Sequence, residues 1–166
     1  MTDITSDASS FDSAKYRQVL GHFPTGVTVI TATTPDGPVG MAVGSFASLS
    51  LEPPQVLFCA GQHSSSWPKI REVGTFCVNL LAESQEDVCR VFASKAPDKF
   101  AEIGWKHSGN GAPVLEGILG YIDCTLDQVI PSGDHEVAIG AVTDLDVLHE
   151  GGPLLFFRGG YGRFQL

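Results

Sequence analysis

Short stretches of apolar and β-branched residues recur along this chain, separated by turn-forming residues, and this pattern is typical of strands. Residues 25–33 (TGVTVITAT) are dense in β-branched side chains, and residues 55–60 (QVLFCA) form a continuous apolar run. The turn residues of 35–38 (PDGP) predict a hairpin that returns the chain into 39–54. The other predicted strands are residues 75–80, 121–130, 135–142, 144–149 and 154–158.

Three short segments instead repeat apolar residues at helical spacing. The first helix is expected from Ser13, as its N-cap, to about residue 23, and the second begins after Ser64 or Ser65 and ends at Gly74. The apolar positions of the three helices are Tyr16, Val19, Leu20 and Phe23; Trp67, Ile70 and Val73; and Val88, Val91 and Phe92.

Ser84 and Asp87 resemble a capping box at the start of the third helix, and residues 94–117, rich in Gly and Pro, predict a long loop. At least six strands with two or three short helices predict a mostly β domain, a barrel with a few peripheral helices. A doubly wound sheet is not expected, because no G-x-G-x-x-G sequence leads from a strand into a long helix. Residues 1–12 are polar and acidic and predict a flexible tail, which leaves 13–166 as one domain.

The composition argues against several classes of function. With 166 residues, 43% of them hydrophobic and 17% charged, the chain fits one globular domain. Its net charge of −9 argues against a nucleic-acid partner, since phosphate contacts need clustered Lys and Arg. We expect a cytoplasmic protein without a membrane partner, because no apolar run approaches the ~20 residues of a membrane helix and no signal peptide is evident. The four cysteines lack metal-ligand spacing, so no metal site is expected.

The stretch 39–54 (VGMAVGSFASLSLEPP) is the first candidate for a binding site. Gly40 and Gly44 have no Cβ and would let a ligand approach the backbone, and Ser45, Ser48 and Ser50 offer hydroxyl groups. A second interpretation is equally open, namely a Gly- and Ser-rich strand and turn that only packs in the barrel.

His135 lies in the turn PSGDHEVAIGAV beside two acidic residues. It is either a ligand contact that depends on pH or a hydrogen-bonding corner. His22, His107 and His149 stand alone at element ends, which is usual for surface or packing residues. The sequence contains no G-x-S-x-G, H-E-x-x-H, Walker or EF-hand motif.

Ser64, Ser65 and Ser66 precede the second helix. They are either only a helix cap or a phosphate site, because a helix N-terminus presents free backbone N–H groups. Lys95 and Lys99 are either solvated loop cations or the charges that complete the neutralisation of this phosphate.

Five segments, taken in order, resemble a known family. They are FPTGVTVIT (23–31), SFASLSLEPPQVLFC (45–59), FCVNLL (76–81), GDHEVAIGAV (133–142) and LLFFRGGY (154–161). Over about residues 16–161 the chain is similar to the short-chain flavin reductases, the reductase components of two-component flavin-dependent monooxygenases. Within that family it looks closest to the reductases that serve aromatic-ring hydroxylases, including those of bacterial steroid-ring degradation.

The resemblance implies an FMN-binding split β-barrel that works as a homodimer, with the flavin near the subunit interface. It implies hydride transfer from NADH, more than NADPH, to FMN or FAD, and diffusion of reduced flavin to a separate oxygenase. The implied flavin contacts are Val39, Gly40, Met41, Ala42, Gly44, Ser45, Ser48, Cys59, Ala60 and Gly61, and those to its phosphate are Ser64, Ser65, Ser66, Ser94 and Lys95. The implied nicotinamide contacts are His135, Arg158, Gly160 and Tyr161, with His135 as the catalytic residue that orients or polarises the carboxamide.

Met41 and Gly44 stand where the family often has Thr or Ser, so fewer hydroxyl contacts to the flavin are expected. Two other functions are compatible with the same barrel. One is an oxidase of the pyridoxamine-phosphate type, which retains its flavin, and the other is a non-catalytic flavin-binding or electron-transfer module. The GDH turn and the LLFFRGGY ending favour the reductase, because the other two functions have no need for a nicotinamide site.

Overall fold

The structure is a computed structural model that describes residues 11–164. Its helices are α1 (Ser13–Leu20), α2 (Trp67–Val73) and α3 (Glu86–Ala93). Its strands are β1 (Thr25–Gly26), β2 (Thr28–Thr34), β3 (Gly37–Val43), β4 (Ala47–Leu51), β5 (Pro54–Gly61), β6 (Thr75–Leu80), β7 (Trp105–His107), β8 (Pro113–Leu115), β9 (Gly120–Ser132), β10 (His135–Val147), β11 (Leu154–Phe157) and β12 (Gly160–Arg163). Most of the predicted tail lies outside the described residues.

Within residues 11–164, the main sheet has seven antiparallel strands in the order β3-β2-β6-β9-β10-β5-β4. Side chains from β3, at one end of this order, and from β5, next to the other end, share one buried core: Met41 and Val43 belong to the same cluster as Val56 and Phe58. The sheet is therefore curled around its core, although β3 and β5 have no ladder between them in the described residues. This architecture confirms the predicted split β-barrel with short peripheral helices.

A second buried cluster covers the outside of β2 and β6, and it orders the segment that we predicted as a loop. The side chains of Thr31 and Asn79 both donate to the carbonyl oxygen of Pro113, and Oδ1 of Asn79 accepts from the N–H of Leu115 at 2.8 Å. The prediction of a featureless loop over 94–117 was wrong, because the buried partners that fix β7 and β8 lie far away in sequence.

Two predicted helix starts were also wrong. The N-cap of α1 is Asp12 rather than Ser13, since Oδ1 of Asp12 accepts from Ala14 N at 2.9 Å and from Lys15 N at 3.1 Å. Helix α3 begins after Gln85, not with a capping box of Ser84 and Asp87. The predicted end of α2 is confirmed, because Gly74 adopts the left-handed conformation with φ of 75°.

The C-terminal strands differ from the prediction in two ways. The two strands predicted over 135–142 and 144–149 are one strand, β10, which carries a register shift between Val142 and Asp144 opposite β9. The sequence analysis missed β12, which pairs with β11 across a turn where Arg158 has φ of 51°. Over the described part of the chain, the structure contains no helix long and apolar enough to cross a membrane. The same residues hold no group of three His, Cys, Asp or Glu side chains suited to a metal ion.

Candidate functional site

A half-open cavity of about 700 Å³ lies at the split of the barrel. Its walls come from the end of β3 and the connection to β4, from the end of β5, and from the segments that precede α2 and follow α3. The sheet brings these segments together, because β3 and β4 are the two edges of the strand order. Residues 41–45 of the stretch 39–54 therefore line the cavity, and Met41 and Val43 also pack in the core of the barrel, so both interpretations apply.

Eleven of the site residues implied by the family resemblance line this cavity. They are Met41, Ala42, Gly44, Ser45, Cys59, Gly61, Ser64, Ser65, Ser94, Lys95 and His135. Sequence reasoning left out Val43, His63, Phe92 and Ala93, which also line it. Val43 is the last residue of β3, and His63 directly precedes the three serines. Both could have been found because they adjoin predicted site residues in the chain.

The charge of the cavity is opposite to that of the whole protein. Two lysines and two histidines line it, namely Lys95, Lys99, His63 and His135. None of the described residues that line it is Asp or Glu. The chain as a whole carries a net charge of −9. A local excess of cationic groups in an acidic protein favours an anionic ligand at this place.

The three serines before α2 have different partners. Oγ of Ser64 accepts from the N–H groups of Ser66 and Trp67, and it contacts Sδ of Met41 at 3.6 Å. Oγ of Ser66 donates to the carbonyl oxygen of Gly40 at 2.8 Å. The hydroxyl group of Ser65 makes no hydrogen bond with the described residues and faces the cavity.

These contacts change the argument for a phosphate site. The first N–H groups of α2 already bond to Ser64, and the helix has only seven residues. These bonds use the N–H groups of Ser66 and Trp67, so fewer donors of the helix N-terminus are left for a phosphate than the sequence predicts. A phosphate at this end of the cavity would instead depend on side chains, namely the hydroxyl group of Ser65 and the ammonium groups of Lys95 and Lys99.

The side chain of Lys99 is fixed by two backbone carbonyl groups. Its Nζ donates to the carbonyl oxygen of Phe92 at 2.9 Å and to that of Gly40 at 3.3 Å. Partial burial lowers the pKa of this ammonium group. Lys95 is exposed, and it forms no ion pair with any residue between 11 and 164.

Gly40 leaves room for the ring of Phe92. A Cβ atom at this position would lie 2.6 Å from Cε1 of Phe92, so the ring of α3 occupies the space that the glycine leaves. Gly40 and Val39 line a smaller neighbouring cavity and not the main one.

Ser45 joins the β3–β4 connection to β5 through its side chain. Its Oγ accepts from the N–H of Cys59 at 2.9 Å and donates to the carbonyl oxygen of the same residue at 3.1 Å. The hydroxyl group is thus used within the protein. The backbone N–H groups of Gly44 and Ser45 form no hydrogen bond with residues 11–164, so they remain available to a ligand in the cavity.

His135 lines the cavity from the first position of β10. It pairs in register with Gly61 of β5, and Nε2 would lie 3.6 Å from a Cβ atom on that glycine. Nδ1 lies 2.7 Å from Oδ1 of Asp134, and this hydrogen bond lowers the pKa of the carboxyl group. The imidazole is therefore oriented through Nδ1, and Nε2 is the nitrogen that is left for a ligand.

Glu136, the next residue, belongs to a network that sequence reasoning missed. Oε2 of Glu136 accepts from Nε1 of Trp67 at 2.6 Å, and Oε1 accepts from Arg71 at 2.9 Å. Because neighbouring residues of a strand face opposite sides, His135 points to the cavity and Glu136 to α2. The alternation along β10 was the available signal.

The remaining implied site residues lie elsewhere. Ala60 is fully buried in the core because β5 alternates, and Ser48 is exposed on the edge strand β4. Arg158, Gly160 and Tyr161 belong to the β11–β12 hairpin and do not line the cavity within this chain. The hydroxyl group of Tyr161 lies 3.3 Å from Sγ of Cys89, and this contact together with burial raises its pKa to about 12.

Comparison with known proteins identifies relatives along nearly the whole chain. Residues 20–165 match the family described as flavin reductase like domain. A flavin reductase of Pseudomonas putida is 49% identical over 167 aligned positions, which cover 99% of this chain and 98% of the relative. The reductase subunit HsaB of a flavin-dependent monooxygenase from Rhodococcus jostii is 50% identical, and the alignment covers 97% of this chain and 85% of that protein.

The solved structures agree with this comparison. Nitrilotriacetate monooxygenase component B of Mycobacterium thermoresistibile is 47% identical with a TM-score of 0.91, covering 95% of this chain and 89% of that one. Two further relatives are named for different flavins. FMN reductase (NADH) SmoA of Agrobacterium fabrum is 40% identical, and the alignment covers 93% of this chain and 87% of that protein. NADH:FAD oxidoreductase SgcE6 of Streptomyces globisporus, solved with NAD and FAD fragments, is 34% identical with a TM-score of 0.88 and 93% of each chain covered.

The fold and the cavity agree with these comparisons. The fold of this chain is shared with nitrilotriacetate monooxygenase component B at a TM-score of 0.91. The family match extends over residues 20–165 of the 166. The chain therefore belongs to the flavin reductase like family.

Proposed function

We propose that this protein is an NADH-dependent flavin reductase that supplies reduced flavin to a separate monooxygenase. The observation that carries the proposal is the cavity at the split, which has a cationic end at Lys95 and an oriented imidazole at His135. The cavity would hold FMN or FAD, and the flavin would supply the acceptor for a hydride from the reduced nicotinamide. The names of the relatives support this function, since they include flavin reductases and reductase subunits of monooxygenases.

The residues of the cavity fit a flavin in three ways. The free N–H groups of Gly44 and Ser45 are donors for the polar edge of the flavin ring, where negative charge develops on reduction. The hydroxyl group of Ser65 and the ammonium group of Lys95 are donors for the phosphate. Val43 and Phe92 supply apolar wall, which excludes water from the reacting atoms.

His135 is proposed to orient the nicotinamide. Asp134 fixes the imidazole through Nδ1, and Nε2 is free to contact the carboxamide group. The reaction requires no strong general base, because a hydride and not a proton is transferred between the two substrates. The role of the protein is then to hold the two rings together in the correct orientation.

We further propose that the protein works as a homodimer. Apolar side chains are exposed on α1 and on the edge strand β4, and α1 has no buried residue among those described. The exposed members are Tyr16, Val19, Leu20, Leu49 and Leu51. A second copy of the chain would bury them and would cover the open edge of β4.

The four cysteines are free in the structure, which is usual for a protein of a reducing compartment. This supports a cytoplasmic location. The monooxygenase would be a separate protein that receives reduced flavin by diffusion, as the names of the relatives that are reductase subunits also suggest. Because the chain resembles the reductases that serve aromatic-ring hydroxylases, we propose that this monooxygenase acts on an aromatic ring.

The experiment that tests the function follows the near-ultraviolet absorbance of NADH with and without added FMN or FAD. Loss of NADH that depends on added flavin supports the reductase. Tightly bound flavin after purification without NADH oxidation would instead support the flavin-retaining oxidase. Bound flavin without turnover under NADH and excess flavin would support the non-catalytic module.

A further inference from the structure

A second, smaller cavity of about 170 Å³ adjoins the cationic end of the main one. It lies between α2 and the segment that follows α3, and it shares Ser65 and Lys99 with the main cavity. It contains neither His135 nor Gly61, so it continues the main cavity away from the proposed nicotinamide side. Val39, Gly40 and Ser66, which the resemblance implies as flavin contacts, line this smaller cavity and not the main one.

The lysines of the chain are concentrated around these two cavities. Of the five lysines, Lys69, Lys95 and Lys99 line one or both cavities, whereas Lys15 and Lys106 line neither. Lys69 is exposed, and no carboxylate of residues 11–164 lies within 4.0 Å of its ammonium group. Lys69 thus adds a positive charge at the smaller cavity that forms no ion pair within residues 11–164.

One carboxylate also lines the smaller cavity, that of Asp98. Its Oδ1 accepts from the N–H of Phe100 at 2.9 Å, which fixes the turn of this segment. Two lysines and one aspartate leave a net positive charge there, with Lys95 adjacent in the main cavity. Because Asp98 carries the opposite charge at the same cavity, removal of its carboxylate and removal of a lysine should have opposite effects on an anionic ligand.

We propose that the smaller cavity binds the second phosphate of a dinucleotide flavin, and that Lys69 distinguishes FAD from FMN. The inference rests on the proposed function, and it names the substrate class of the same site. A phosphate held by Ser65 and Lys95 places the next phosphate of FAD one bridging oxygen away, toward the cavity that shares Ser65 and Lys99. The half-open cavity leaves the adenosine at its mouth, and a phosphate favours cations on both sides.

The test compares variants of opposite charge in the full-length protein. Lys69→Gln removes the cation, Asp98→Asn removes the carboxylate while keeping an acceptor for Phe100, and Lys106→Gln on β7 is the matched control. For each variant, KM and kcat are measured with FAD and with FMN, and the dissociation constants of both flavins are measured by quenching of flavin fluorescence. The binding measurement does not require turnover.

We expect Lys69→Gln to weaken FAD about fivefold relative to FMN, because an exposed charge contact contributes about that factor. Asp98→Asn should change the same ratio in the opposite direction, and Lys106→Gln should leave it unchanged. Equal effects on both flavins, or none, would overturn the inference. So would a rise confined to KM for NADH, since the cavity would then bind the phosphates of the nicotinamide substrate.

The failure of this inference and the failure of the proposed function can be told apart. If the native protein oxidises no NADH with either flavin, the reductase function fails, and the fluorescence measurement still tests the subsite. If the native protein is active and the FAD-to-FMN ratio is insensitive to both substitutions, only the subsite fails.

Discussion

The indole Nε1 of Trp67 donates a 2.6 Å hydrogen bond to Oε2 of Glu136, and this pair joins α2 to β10. Trp67 begins α2 directly after the three serines, and Glu136 follows His135 on β10. Arg71 binds the same carboxylate at 2.9 Å. One side chain therefore fixes the position of the phosphate-side segment relative to the imidazole.

Removing this carboxylate should destabilise the protein and displace both segments. Glu136→Ala leaves the indole N–H of the buried Trp67 without a partner, which costs about 1–3 kcal/mol in the free energy of unfolding. Glu136→Gln keeps an acceptor for the indole and loses only the charge opposite Arg71, so it should cost less. Urea denaturation measures both, with Glu72→Gln on the same helix as the control. Equal stability of the two Glu136 variants would contradict the proposed importance of the indole bond.

His135→Ala should raise KM for NADH more than it changes the dissociation constant of the flavin. The reason is that Nε2 of His135 lies beside Gly61 and is left free by the bond of Nδ1 to Asp134, so it can contact the nicotinamide. Steady-state kinetics with NADH as the varied substrate, together with flavin fluorescence quenching, separate the two effects. An unchanged KM for NADH would remove His135 from the nicotinamide contacts.

Gly40→Ala should lower the free energy of unfolding by about 1–3 kcal/mol, because its Cβ would overlap the ring of Phe92. Thermal or urea denaturation measures this cost. Gly26→Ala is the matched control, since a Cβ there meets no atom of the described residues within 4 Å. Phe92→Leu in the Gly40→Ala background should recover part of the loss, and failure to do so would contradict the steric explanation.

The thiol groups should react selectively in the native protein. Burial raises the pKa of Cys124 to about 12 and also raises that of Cys77 and Cys89, so the reactive thiolate is scarce at pH 8. Cys59 is half-buried and lines the cavity. A thiol reagent at pH 8, followed by peptide mass spectrometry, should modify Cys59 first. Excess FMN should slow that modification, whereas no protection would count against a flavin beside β5.

The native protein should sediment at twice its monomer mass of 17.6 kDa. Replacement of Leu49 and Leu51 on the edge strand β4 by charged residues should shift the equilibrium toward the monomer. The substitutions would place unpaired charges in the proposed dimer interface. Analytical ultracentrifugation measures the mass of both proteins. A monomeric native protein at all concentrations would contradict the homodimer.

Local sequence signals predicted the parts of the fold that depend on local interactions. The strand β6 was predicted with its observed bounds, because an apolar run follows the glycine that ends α2. The ordered segment around β8 was missed, since Thr31 and Asn79 hold it from positions that are distant in sequence.

For the site, the resemblance supplied most of the residues that line the cavity, but not the side on which each residue lies. Ala60 was included although the alternation of β5 turns it into the core, and Glu136 was left out although it supports His135 from behind. Which hydroxyl groups remain free was also beyond the sequence. Only the structure shows that Ser45 is bonded to the backbone of Cys59, whereas Ser65 has no bond among the described residues.

The interruption between β3 and β5 has a consequence for the rate of ligand exchange. A ligand can enter and leave the cavity there without breaking a backbone ladder, because none joins these two strands in residues 11–164. Exchange at this place therefore does not require opening of the sheet. The stability of the barrel and the residence time of its ligand can therefore change independently under mutation, which suits a protein that releases its product to another enzyme.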